Sequence, residues 1–238
     1  MINKAFLFKG VTVGLMVFGG HAFGAENQQV AAPDAEPAVG RLPFSLSMDF
    51  RGGYGATDDV YYGENEIVLE KEFDVLNGMT VGVENLLVYE KQGYTDEITA
   101  GIGFGLLDFF SIGFAGKAFI ADETAFGVDG ILSFGHEFEN IGLAVSDDNE
   151  FLYNFTDEAF EYVNTLCIEK SFDLTNQLGL TLALENELVV SDGSAESGLL
   201  AGPVLGYRMV NVFANYTLGI DSEMKTSHGA QAGVLVEI

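Results

Sequence analysis

Carboxylates recur on one phase of an alternating pattern along this 238-residue chain, and that phase is where chemistry could be done. Asp49, Glu66, Glu70, Glu84, Asp129 and Glu185 fall on it, together with Glu72, Glu137, Glu187 and Glu237. The bases on the same phase are Arg51, Lys117 and Arg208. An inner wall on which acids outnumber bases concentrates cations and repels anions, the logic of charged pore linings. The same residues admit a second arrangement, in which Arg51, Lys117 and Arg208 pair with carboxylates and fill a narrow interior.

Other reactive residue types are sparse. Asp147-Asp148-Asn149-Glu150 offers oxygen ligands of the kind Ca²⁺ takes, but without the glycine spacing of a dedicated calcium loop, so no metal site is assigned. Ser227 and His228 supply the residue types of a nucleophile and its base, yet adjacent strand residues point to opposite faces. His136 lies on the apolar phase beside a turn, the place of an interfacial ring, and Cys167 reads as a small apolar residue within a strand. Gly101-Ile102-Gly103 matches no phosphate loop, because no helix follows it. Neither a catalytic site nor a cofactor is expected.

The elements that must position the charged phase are strands. Ile98, Ala100, Ile102, Phe104 and Leu106 alternate with Thr99, Gly101, Gly103 and Gly105, and Phe110, Ile112 and Phe114 alternate with Ser111, Gly113 and Ala115. This period of two repeats in about 12 segments, each near the length that crosses a bilayer as a tilted strand. Asn85-Leu86-Leu87 blurs the phase and reads as a bulge. Connections alternate between short turns, as at 137–140 and 173–177, and longer loops at 53–63, 90–96, 146–161, 186–197 and 221–227. A hairpin recurs as well: Glu70-Lys71-Glu72-Phe73-Asp74 returns as Glu169-Lys170-Ser171-Phe172-Asp173, which reads as a rim turn module used twice.

Composition restricts the class. A net charge of −26 excludes the clustered basic surface that nucleic acid requires. The 48% apolar share, with 20 phenylalanines, excludes a disordered acidic chain. A single cysteine forms no internal disulfide. Residues 1–25 carry Lys4 and Lys9, an apolar stretch and the small residues Ala22 to Ala25, the order of a cleaved secretory signal. Residues 26–41 form a flexible lead-in broken by Pro33 and Pro37, and 42–238 carry the strands. The polar phase is rich in glycine, serine and carboxylates, and aromatic residues gather beside the short turns, so the apolar phase faces lipid and the sheet must close.

On this pattern the chain resembles the bacterial outer-membrane β-barrel superfamily, of the small porin-like kind. The last strand, with Ala230, Ala232, Val234, Val236 and Ile238, has the alternation of that family's C-terminal assembly signal, though Ile238 stands where the family usually has an aromatic residue. The resemblance implies an all-β, up-and-down antiparallel transmembrane barrel in a Gram-negative outer membrane, with both termini periplasmic. Its implied partners are outer-membrane lipid and lipopolysaccharide, the barrel-assembly machinery and small solutes; homo-oligomerisation is left open. The function expected is passive diffusion of small, preferably cationic or neutral solutes. The alternative is a closed barrel serving as a surface anchor or adhesin through acidic, aromatic outer loops.

Overall fold

The computed structural model describes residues 44–57, 59–73, 78–90, 93–107, 109–121, 124–191 and 194–238. The leader and lead-in lie outside these residues, as does the 74–77 turn of the first hairpin copy. Twelve strands follow one another: β1 (Ser45–Gly55), β2 (Val60–Phe73), β3 (Met79–Glu90), β4 (Gly93–Leu107), β5 (Phe110–Ile120), β6 (Thr124–Phe138), β7 (Leu143–Asn154), β8 (Ala159–Thr175), β9 (Leu178–Ser191), β10 (Ser194–Tyr207), β11 (Val210–Ile220) and β12 (Thr226–Glu237). Each pairs antiparallel with its neighbours in sequence, and β1 pairs with β12 to close the barrel. Closure leaves no strand edge unpaired, which is the condition for a sheet to sit in lipid. The seam is fastened at one end by Leu46 and Ile238, which exchange backbone hydrogen bonds of 3.1 and 2.8 Å. That end, where the strand pattern begins and ends, is the terminal rim; the other is the distal rim.

The molecule is hydrophobic on the outside. Among the described residues the buried apolar side chains are Ala115 and Val163, whereas thirteen buried residues are polar or charged. Phe50, Val83, Phe114, Leu182 and Val212 stand 47–56% exposed on the outer wall. Water would expel such a surface and lipid accepts it, so the barrel spans a bilayer.

Two features differ from the sequence-based expectation. The register of β3 runs unbroken through Asn85, Leu86 and Leu87, and the irregularities fall instead between Gly105 and Leu107 and between Asp173 and Thr175. More consequentially, long loops do not alternate with short turns: every connection between strands is two to five residues long. The segment 146–161 is the distal half of β7, a four-residue turn and the start of β8, and 186–197 is nearly all β9 and β10. Their outer positions Phe151, Tyr153, Phe160 and Val190 are apolar or aromatic and 37–50% exposed, while Glu150 and Glu187 alternate with them on the inner wall, so the acids that suggest loops belong to strands.

A belt of outward asparagines interrupts the apolar outer wall below the exposed aromatic residues Tyr61, Tyr89, Tyr153 and Phe160. Asn65, Asn85, Asn149, Asn164 and Asn186 each lie five residues in from the distal end of their strand. They bond sideways: Asn85 to Asp96 at 2.5 Å, Asn164 to Asp147 at 2.6 Å, and Asn186 to Ser197 at 3.1 Å. Tyr162 donates to Asn149 at 2.7 Å. At the terminal rim the repeated hairpin places Lys71 over Phe73 and Lys170 over Phe172, at 5.0 and 5.3 Å from the ring centroids. Both lysines thus lay their apolar stems along the outer wall with the charge at its margin.

Candidate functional site

The inner wall carries a charged belt at one level. Arg51 on β1, Glu64 on β2, Glu97 on β4, Glu150 on β7 and Glu187 on β9 each lie four residues in from the distal end of their strand. Period-two alternation turns all of them inward, and matched strand ends bring them to one height. Two bases organise the belt. The Lys117 ammonium donates a hydrogen bond of 2.6 Å to Glu150 and forms ion pairs with Asp129 at 2.8 Å and Glu97 at 3.3 Å. The Arg51 guanidinium pairs with Asp49, with Glu64 at 3.6 Å and with Glu66 at 3.7 Å.

Arg51 is also held from beneath by Phe213, whose ring centroid is 5.6 Å from the guanidinium carbon. Phe213 points inward because its partner across the sheet is Gly233, where a Cβ would come within 2.5 Å of the Phe213 ring and 2.6 Å of the Phe50 carbonyl oxygen. Gly53 plays the same part opposite Tyr62, whose hydroxyl reaches Gln231 at 3.2 Å. Glycine on one strand is what lets an aromatic ring lie across the lumen from the next.

The belt is dense. Asp129, Glu187 and Glu66 retain only 3%, 4% and 5% of their accessible surface, and oxygens of Asp49, Glu66 and Glu187 have no hydrogen-bond partner. Carboxyl groups are tolerated at this burial when cations or water stand among them or when they hold a proton. Towards the terminal rim the wall changes character, lined by Gly82, Gly101, Gly103, Ser111, Gly113 and Ser133 with Glu70 and Glu169 set among them.

The structure places Asp49, Arg51, Glu66, Glu84, Lys117, Asp129 and Glu185 in or beside the belt, and Glu70 elsewhere on the inner wall. Arg208 is not on that wall. It occupies the two-residue β10–β11 turn with φ 56°, exposed at the terminal rim and stacked over Tyr207 at 5.3 Å. The alternation that carries it inward on paper ends one residue earlier. Glu64, Glu97, Asp148 and Glu150 join the inner face unforeseen, as does Phe213. Counting back by twos from Glu66 reaches Glu64, which was the available signal. Cys167 faces inward between Glu169 and Glu185. His136 lies edge-on to Phe138 at 4.5 Å on the outer wall, and His228 meets the Tyr216 hydroxyl at 2.5 Å, on the face opposite Ser227.

The outer wall also has a shallow depression of about 690 Å³, lined by Ala100, Gly116, Gly130, Phe114, Phe151 and Tyr153 among others; it opens towards lipid, away from the belt.

No protein-family model matches the chain, and no curated protein matches it. Solved structures do. An outer-membrane channel from Pseudomonas putida aligns with a TM-score of 0.55 at 9% identity, covering 86% of this chain and 100% of its own. The KdgM porin aligns with a TM-score of 0.51 at 11% identity, covering 80% and 98%. The β domain of the Bordetella autotransporter BrkA gives 0.51 at 10% identity, covering 82% and 98%. At such identities what is shared is the fold, that of the outer-membrane β-barrels.

Proposed function

We propose that the chain is a porin-like channel of the outer membrane, passing small cations and neutral solutes, with its terminal rim in the periplasm. The observation that carries this reading is the belt, where two bases face Asp49, Glu64, Glu66, Glu97, Asp129 and Glu150, with Glu84 and Glu187 beyond them. An inner wall so biased has a negative potential that draws cations in and turns anions away. The packing of the belt makes the passage narrow, so conduction proceeds by exchange among carboxylates rather than through a wide water column. The fold shared with outer-membrane channels and porins supports the assignment. For the anchor or adhesin alternative, the acidic and aromatic residues of 146–161 lie mainly in strands, with the 155–158 turn between them.

Reconstitution of the folded barrel into a planar bilayer under a KCl gradient tests the reading. A reversal potential of cation-selective sign is expected. Anion selectivity, or silence from a barrel that shows heat-modifiable migration, would falsify it.

A further inference from the structure

The two bases of the belt show what their carboxylate sets are built to hold. Lys117 presents a primary ammonium to three carboxylates at 2.6–3.3 Å, and Arg51 presents a guanidinium to three others. Each is a set of carboxylates gathered round a nitrogen cation, with Glu150 accepting from Lys117 and Asp49 from Arg51, and with the ring of Phe213 as a platform in the second. Between the two lies a carboxylate with no such cation. Glu187 keeps 4% of its surface, forms no ion pair among the described residues and leaves Oε2 without a hydrogen-bond partner. It faces the lumen from β9, within electrostatic range of Glu185 on its own strand, of Glu161, of Glu64 from the Arg51 set and of Glu150 from the Lys117 set. A buried carboxylate flanked by others is relieved by a proton or by a positive group standing among them, and a permeating cation supplies the second.

We propose that Glu187, with Glu64 and Glu150, is a binding site for organic cations bearing a primary ammonium or guanidinium group, and that such cations are the channel's preferred solutes. This rests on the channel reading and adds the class of solute to it. A visiting ammonium binds at Glu187 and then takes the place of the Lys117 head group, which swings aside on its flexible stem; Arg51, stacked on Phe213, stays in place as the fixed wall. No bond is made or broken, and the exchange trades one N–H donor set for another.

The experiment compares permeability ratios, from reversal potentials, for butylammonium, guanidinium, tetramethylammonium, K⁺ and Mg²⁺ through the reconstituted full barrel. Butylammonium is no smaller than tetramethylammonium but carries three N–H donors. It and guanidinium should permeate about tenfold better than tetramethylammonium, the effect of roughly one charge-assisted hydrogen bond. Glu187→Gln should reduce that preference to within about twofold, while Glu158→Gln, in the exposed β7–β8 turn, should leave it unchanged. Should Glu187→Gln fail to give heat-modifiable barrels, the wild-type ratios still decide. Conductance to K⁺ with no preference for the N–H cations, or with Mg²⁺ preferred to them, overturns this proposal and leaves the channel reading standing. A folded barrel that passes no ion overturns both.

Discussion

The two halves of the lumen are built from the same strands in the same register, yet they differ in what the strands carry inward. Towards the distal rim the inner positions hold Arg51, Lys117 and the carboxylates that pair with them; towards the terminal rim they hold mainly glycine, serine and threonine. Small side chains do not reach across a 12-strand barrel, whereas arginine, lysine and glutamate do. Discrimination therefore belongs to one level of the barrel, and the remainder is an approach to it. The difference also separates stability from solute choice, because the distal half is cross-linked by ion pairs and the terminal half, among the described residues, has none.

The sharpest way to break this contrast is to remove a base. Lys117→Met leaves Glu97, Asp129 and Glu150 buried without their cation, and should cost about 3–5 kcal/mol in urea unfolding from lipid vesicles. A loss below about 1 kcal/mol would mean that water already screens the belt and that the halves do not differ in packing. Next in size, Leu184→Arg puts a charge on the apolar outer wall of β9, and the same assay should register a loss of about 2–4 kcal/mol. An unchanged midpoint there would show that this face is not in lipid, and the inside and outside of the barrel would have to be exchanged.

Arg51→Lys is a finer probe. The charge remains, but the fork to several carboxylates and the stacking on Phe213 are lost, and a cost of about 1.5–3 kcal/mol with noisier single-channel current is expected. At the small end, Glu70→Gln in the terminal half should change stability by less than about 0.5 kcal/mol and leave the reversal potential where it was. A selectivity change in this variant as large as that of a belt variant would move the filter to the other half.

How much of this was readable beforehand follows from where lipid imposes a rule. Rows such as Ile98 to Leu106 and Phe110 to Phe114 announced their strands because a lipid-facing wall needs an apolar residue at every second position. At the asparagine belt that row is interrupted. Asp147-Asp148-Asn149-Glu150 is a paired strand with Asp148 and Glu150 inward, but with Asp147 and Asn149 on the outer face it carries no apolar rhythm and reads as a loop. The belt was for that reason half legible. Asp49, Arg51, Glu66, Lys117 and Asp129 sat opposite obvious apolar partners, while Glu64 and Glu150 sat beside the outward asparagines Asn65 and Asn149. Arg208 went astray for the converse reason: the rhythm of β10 extends onto it in sequence, and only the left-handed backbone of the turn removes it from the wall.

The seam between β1 and β12 has a consequence in time. Eleven of the twelve strand pairings join elements adjacent in sequence, so each can form as a local hairpin soon after its two strands meet. The twelfth brings Leu46 to Ile238, 192 positions apart, and nothing local favours it. Until it forms, the sheet has two sticky margins able to capture another chain or each other's wrong register. Maturation of this protein is accordingly a race between one long-range closing event and misassembly, and the backbone exchange at Leu46 and Ile238 is the point at which that race ends.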